Sequence, residues 1–561
     1  MKGRFKMIDK SKLSDMMRHY WDVKERHEDC IVFYRLGDFY EMFFEDAVEA
    51  SKLLDLTLTG RDCGNGQRAP MCGVPYHAAE TYIAKLVEQG KKVAICDQLT
   101  EPQKGKLVER DVVRIVSAGT LIEETQLDEK KNNYLSCIFK NENKIAIAWA
   151  DITTGEFFVE EFAGECALEE SVGHLVTLSV AEIICNEELL LESKDLKEVR
   201  HGFLPKFSCY LPWAFNVKHA EKNLLEQFGA KSLSAYGLSG KEEMISASGA
   251  LLEYLKETQK RAIVNINSIK VLNRDGFMVL DSTAVRNLEL LKNNAENKKY
   301  GSLLWVLDKT KTGMGARLLT QMLVSPLRNI SEIEYRQAGV EELFNAGVVR
   351  VSINEILTDI RDIERLSGKI SNGNFNPKDA LALGYSLQGI PSLKFQLTGF
   401  SSAVLKEVDA GLLDLKDISE LLLSAIDPDA PTVMKDGGYI REGFYPELDE
   451  LKKLRENSET IIDQIVEREK ERTGIRTLKK GFNRVFGFYL EVSNSFKEMV
   501  PADYIRKQTL TNGERYITEE LKILEEKILT SGERAIQLES MLFKQILTVL
   551  SENIENLKMA L

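Results

Sequence analysis

Cysteine is scarce and confined: all 8 lie at or before Cys209, no C-x-x-C pair occurs, and His numbers only 6. Neither a zinc site nor a disulfide framework fits such spacing, and a reducing, cytoplasmic setting is expected. The first 30 residues have no apolar h-region, and no run approaches the ~18 apolar residues a membrane span needs. The expectation is a soluble protein with no membrane partner. A G-x-x-x-x-G-K-[ST] phosphate loop is missing as well. Gly105-Lys106, Gly240-Lys241 and Gly368-Lys369 lack both the upstream Gly and the following Ser or Thr. Without that cradle of backbone N–H groups and its Lys, tight nucleotide binding of the P-loop kind has no seat. No constellation of nucleophile, base and orienting group stands out either, so a catalyst is not expected.

An overall basic excess is also absent, the formal net charge being -13. That average argues against a wrapped nucleic acid, but it hides a pattern. Residues 1–110 hold 18 basic and 18 acidic side chains, and residues 471–515 hold 9 basic against 5 acidic. The last 46 residues sum to -3, leaving -14 for residues 111–470. Acidity sits in the middle of the chain. At 561 residues, with 43% hydrophobic and 29% charged, the chain is globular and too long for one core. Three to five domains are expected.

The first 100 residues alternate strand and helix signals: IVFYRL as a strand, EDAVEASKLLDL and HAAETYIAKLVEQG as helices, KKVAICDQ as a strand again. Between them RDCGNGQRAPMCGVPY, rich in Gly and Pro and bracketed by Arg61 and Arg68, reads as an exposed loop, either a contact loop or a solvated connector. From about residue 132, YLSCIF, KIAIAWADI and GEFFVEEF read as a three-strand meander, followed by a helix and the strand AEIICN, so a second α/β domain is expected to end near residue 255. Asp151 and Glu156 flank a turn there. A two-metal nuclease site needs more converging carboxylates, and the hairpin-turn reading is preferred.

Beyond residue 256 the pattern is almost wholly helical. One helix is expected over YPELDELKKLRENSETIIDQIVEREKERTG, ~40 Å long, and a second from about Asn512 to the chain end, ~70 Å if Gly532 leaves it unbroken. Between these arms GFYLEV alternates strictly, with Phe486, Phe488, Leu490 and Val492 on one face, in a tip carrying Arg476, Lys479, Lys480, Arg484, Lys497, Arg506 and Lys507. A charged tip is either solvated or a contact for phosphates.

YRLGDFYEMFFEDA, residues 34–47, reads as a strand in which Phe39 and Glu41 share one face, with Tyr40 and Met42 on the other. A lone strand Phe is ordinarily a core aromatic and a lone Glu a solvated edge charge. Their surroundings decide otherwise.

GDFYEMF, MCGVPYHAAETYIAKLVEQGKKVAICDQ, DGFMVLDSTAVRNLEL, GARLLTQMLVSPL and FNRVFGFYLEV…RKQTLTNGERY together resemble the MutS family of bacterial DNA mismatch recognition proteins, in order and along nearly the whole chain. The resemblance implies a mismatch-binding α/β domain over 1–118 and a connector domain over 125–255, α/β and RNase H-like. It implies an all-α core with long lever helices over 256–445 and 513–561, and a small clamp domain with β-strands inserted at 446–512. The family's fifth part, a C-terminal ATPase, has no counterpart here. SENIENLKMAL lies in a helical pattern without a stop signal, from which a truncated chain is expected. ATP and magnesium would belong to that missing part, leaving no cofactor in this chain and a DNA-binding protein, not an enzyme.

By resemblance Phe39 wedges into the minor groove at a mispair and Glu41 hydrogen-bonds to a displaced base. Leu36, Gly37, Asp38, Arg61 and Arg68 are candidates for further minor-groove contact. Arg506, Lys507, Gln508, Thr511 and Asn512 are candidates for clamp contacts to the backbone, with Thr511 standing where many relatives place Lys. Opening a stack costs a few kcal/mol, and less where pairing is already defective. A carboxylate near phosphates penalises binding unless a base donor compensates, so Glu41 is expected to sharpen discrimination rather than affinity. The implied partners are double-stranded DNA with mismatches or small loops, a MutL-type repair protein at the connector, and a second copy of the chain, weakly held or absent without the ATPase. The alternative is a truncated interaction module that binds repair partners or competes with full-length protein without discriminating mismatches.

Overall fold

The structure, a computed structural model, describes residues 10, 13–64, 67–100, 108–122, 127–193, 196, 199, 202–260, 263–456, 458–483 and 487–559. Its contacts divide the chain into two units, Met1–Gly373 with Leu393–Gly411, and Asn374–Ser392 with Leu412–Ala560.

The first unit begins with a mixed sheet of order β3-β4-β2-β1-β5-β6, from β1 (Cys30–Leu36), β2 (Phe39–Phe43), β3 (Thr59–Gly64), β4 (Gln67–Pro75), β5 (Lys92–Gln98) and β6 (Arg110–Val116). Period-2 alternation sorts β1 between two cores. Ile31 and Phe33 join Ala47, Ala50, Ile83 and Leu86 of α2 (Phe44–Leu54) and α3 (Ala79–Glu88), while Val32 and Tyr34 join Met17, Tyr20 and Trp21 of α1 (Asp15–Arg26). Asp55, left-handed at φ 55, ends α2.

Two expectations for this region are corrected. The stretch 34–47 is not one strand but the hairpin β1–β2, turning at Gly37-Asp38 with Gly37 at φ 58, and passing into α2 at Phe44. Phe44 itself stands at φ 52, unfavourable for a side chain of that size, and its ring packs edge-on against Trp21 at 5.2 Å. The described residues of the expected loop 61–76 are not an exposed loop: residues 61–64 and Gln67–Pro75 belong to the antiparallel pair β3–β4, with Ala69, Cys72 and Val74 buried, while residues 65 and 66 lie outside the described set. The strand was hidden by Pro70, which pairs with Gly60 beyond the last β2 partner, Phe43 opposite Met71, where β4 has one neighbour and a missing N–H costs little.

A second sheet, order β11-β10-β7-β8-β9-β12, contains the expected meander as β7 (Leu135–Asn141), β8 (Lys144–Asp151) and β9 (Glu156–Ala163), then α4 (Ala167–Leu178), β10 (Glu182–Cys185) and β11 (Phe207–Cys209). The sheet does not close near residue 255. Its edge strand β12 (Lys270–Val271) pairs in parallel with β9, after the helix Glu242–Gln259 has crossed the sheet face. Helices Gly313–Val324, Ile330–Asn345, Gly347–Asp359 and Ile363–Asn372 follow in this unit. Gly368 comes so close to the turn after β8 that a Cβ would strike the Thr153 carbonyl oxygen at 2.0 Å. Arg317, its side chain 5% exposed, clamps Asp362 through two hydrogen bonds of 2.6 and 2.9 Å and also pairs with Glu364.

At that turn Glu156 accepts hydrogen bonds from Asn132 (2.8 Å) and the Tyr134 hydroxyl (3.2 Å). Burial, then the charges of Glu364 and Asp151, push its carboxyl up to about 7. A carboxyl that binds its proton more tightly in the folded state favours folding most below the unfolded pKa. Stability therefore falls as pH rises from about 4.5 to about 7 and levels off above. Glu156→Gln is expected to flatten this slope, an effect on the order of 2–3 kcal/mol, read as pH-dependent hydrogen exchange of the β8–β9 amides.

The second unit holds helices Lys416–Ala425, Pro446–Glu456 and Ser458–Thr473, the last two along the expected first arm, with residue 457 outside the described set. A four-stranded antiparallel sheet of order β13-β14-β16-β15 comes next, from β13 (Lys479–Asn483), β14 (Gly487–Ser493), β15 (Ile505–Thr509) and β16 (Gly513–Ile517). Leu490 and Val492 of β14 are buried with Ile462, Ile465 and Ile475, as the alternation requires. Phe486 and Arg484 lie outside the described residues.

The last long helix is Glu519–Glu552, 34 residues or ~51 Å. It starts seven residues later than expected because Gly513–Ile517 pair with β14 and β15, so the boundary at 512 cuts through the sheet. Thr518 caps the helix by accepting from the Leu521 N–H at 3.2 Å, and Gly532 does not interrupt it.

Candidate nucleic-acid interface

Hairpin β1–β2 is braced around its turn. The Asp38 carbonyl accepts from the Tyr76 N–H at 2.9 Å, Arg35 Nε donates to the Gly37 carbonyl at 2.5 Å, and the Arg35 guanidinium lies 3.8 Å over the Tyr76 ring. Arg110 Nε donates to the Arg35 carbonyl at 2.9 Å. The braces leave the turn few conformations, so what it presents is presented rigidly.

It presents Phe39. Paired with Leu36 and Pro75, this residue opens β2 with 47% of its surface exposed, whereas Tyr40, Met42 and Phe43 behind it are buried. The ring stays in water although the core begins at the next residue, Tyr40. Gly37 and Asp38 are exposed beside it and Leu36 is half-buried. Glu41, two residues on and on the same face, is 16% exposed and accepts from Arg61 Nη1 at 2.5 Å. Arg68 is exposed and donates to the Gly60 carbonyl. Phe39 opposite Pro75, Glu41 opposite Gly73 and Arg61 opposite Ala69 thus lie on one face of the sheet, with Arg61 reaching Glu41 from further along β4. Arg35 was absent from the sequence candidates because its role depends on Tyr76, distant in sequence.

In the small sheet β15 is an edge strand exposed along its whole length. The ladder slips between Arg506 and Gln508, leaving Lys507 unpaired in a bulge. Arg506 is not a free charge: with Lys497 it pairs to Glu514, whose side chain is 3% exposed. Lys497 first, then the Tyr516 hydroxyl, draw the Glu514 carboxyl down to about 2. Gln508 accepts from Arg515 at 2.9 Å. Thr511 and Asn512 sit exposed in the β15–β16 turn, where the Thr511 carbonyl accepts from Asn494. Part of the basic excess read from composition is therefore neutralised within the fold, Lys480 on Asp463 included. Among the described residues no cluster of three His, Cys, Asp or Glu could hold a metal ion, and no helix is long and apolar enough to cross a membrane.

Family models match the chain in three consecutive blocks: MutS domain I over residues 14–125, MutS domain II over 133–270 and MutS domain III over 283–561. The DNA mismatch repair protein MutS of Lachnoclostridium phytofermentans is 42% identical over 549 residues, covering 98% of this chain and 59% of that protein. Its counterpart in Ruminiclostridium cellulolyticum is 43% identical over 547 residues (97% and 62%), and that of Caldanaerobacter subterraneus subsp. tengcongensis 44% over 538 (96% and 61%). The chain thus spans about three fifths of the length of these relatives. With all three domain models matched in order, this chain belongs to the MutS family.

Proposed function

We propose that this chain senses defective base pairing in duplex DNA as part of mismatch repair. Phe39 acts as a wedge in the minor groove and Glu41 as its base contact. The observation that carries the reading is the exposed Phe39 ring on a braced turn, in a chain similar to proteins named for DNA mismatch repair. Physics supplies the selectivity. The ring enters where unstacking is cheapest, and a kink there brings more backbone within reach. In this reading the small sheet is a clamp carried on lever helices, its edge strand β15 contacting phosphates. The second sheet domain receives a MutL-type partner. No cofactor is needed for the binding step.

A titration of this chain at fixed salt against matched and singly mismatched duplexes tests the proposal. Tighter binding to the mismatched duplex is expected, and equal affinities would refute it. Within the clamp, Lys507→Ala is expected to weaken binding to both duplexes alike and to reduce the slope of log Kobs against log salt by about 0.9, the value of one phosphate contact. Arg506→Ala should change that slope less, because Glu514 already holds its guanidinium.

A further inference from the structure

Strand β3 carries the charge that Glu41 meets in the free protein. Glu41 stands opposite Gly73 and Arg61 opposite Ala69, and positions 69 and 73 lie on the same face of β4, so both side chains rise on one side of the sheet. Gly73 leaves the crossing open: a Cβ there would lie 3.4 Å from Glu41 Cγ and 3.2 Å from the Tyr40 carbonyl oxygen. The carboxylate reaches across β4 to the guanidinium. Its side chain is 16% exposed, that of Arg61 40%. Among the described residues Arg61 has no second hydrogen-bond partner, and β3 is the edge of its sheet. The guanidinium is free to swing outward without disturbing the ladder.

We propose that Arg61 is a specificity-determining residue that works as a charge switch. It neutralises Glu41 in the free protein and on matched duplex, and passes to a backbone phosphate only where a base offers Glu41 a hydrogen-bond donor. The inference rests on the wedge reading above. With the Arg61 side chain 40% exposed, solvent reaches the guanidinium and makes the pair weak enough to exchange. In the exchange the guanidinium trades a carboxylate for a phosphate, and the carboxylate trades the guanidinium for a base N–H. On a matched duplex the ring N–H donors are already committed to base pairing, so Glu41 has nothing to trade for and keeps Arg61. Recognition of a mispair is then accompanied by one extra phosphate contact.

That contact is countable. The slope of log Kobs against log salt grows by about 0.9 for each phosphate neutralised on duplex DNA. With the whole chain, the slope on a singly mismatched duplex is expected to exceed that on the matched duplex by about this amount. Arg61→Met should lower the mismatched slope to the matched value. Glu41→Gln, which frees Arg61 on every duplex, should raise the matched slope to the mismatched value and tighten matched binding. Should Arg61→Met fail to fold, Glu41→Gln decides alone, since its matched slope either rises or stays. A preserved mismatch preference with equal slopes on the two duplexes overturns the switch and leaves the wedge reading standing. Loss of any preference in the unmodified chain overturns both.

Discussion

Phe39→Ala is expected to reduce the preference for mispaired over matched duplex by about 10- to 100-fold, while matched binding changes less than about twofold. The estimate follows from stacking: removing an aromatic platform costs about 1–3 kcal/mol per base, and about 1.4 kcal/mol is a tenfold change in affinity. Only a duplex that opens can use the ring. A matched step resists opening by a few kcal/mol, so the wedge contributes little there. Because the ring is 47% exposed and the core behind it is built from Tyr40, Met42 and Phe43, the substitution should leave thermal unfolding almost unchanged. Parallel titrations at one salt concentration, with melting curves as the control for folding, make the measurement. Selectivity retained by a folded Phe39→Ala chain would remove the basis of the proposed function.

Asp46→Ala is expected to destabilise the first sheet domain by about 3–5 kcal/mol, the cost of leaving one partner of a buried ion pair uncompensated. Asp46 lies on α2 beneath the wedge hairpin with 5% of its side chain exposed. Its Oδ1 meets Lys24 Nζ at 2.8 Å, while Oδ2 accepts from the Tyr20 hydroxyl at 2.9 Å and from the Val32 N–H of β1 at 3.0 Å. Alanine would leave the Lys24 ammonium buried with only the Glu28 and Cys30 carbonyls, and would take the acceptor from the Val32 N–H of β1. The double change Lys24→Met with Asp46→Leu should cost much less, since it removes the charges together. Urea unfolding, with hydrogen exchange at β1, separates the two outcomes. Equal losses in the single and double variants would show that packing rather than charge governs the site.

Both predictions concern residues whose surroundings were only half legible in the sequence. The apolar runs of β1, β5 and the β7–β9 meander declared themselves, because a strand buried on a face must be apolar at every second position whatever lies against it. The helices α2, α3 and α4 did so by their 3.6 period. Strands β3 and β4 did not, since Gly, Asn, Asp and Pro carry turn signals that outweigh a short alternation of Ala69, Met71 and Gly73. The late start of the helix at Glu519 was hidden because the strand Gly513–Ile517 is held by β14 and β15, pairings no local window contains.

The sequence by itself determined the family, the two α/β domains followed by helices and a small sheet, and the pairing of Phe39 with Glu41 on one strand face. These follow from composition, periodicity and motif order, which are properties of neighbouring residues. Tertiary structure decided that the Phe39 ring stands in solvent, that Arg61 covers Glu41, that Lys507 bulges from its strand while Arg506 is held by Glu514, and that Asp46 is buried against Lys24. Each depends on which strand lies beside which, and so on free energies of burial and charge that arise only once distant segments meet.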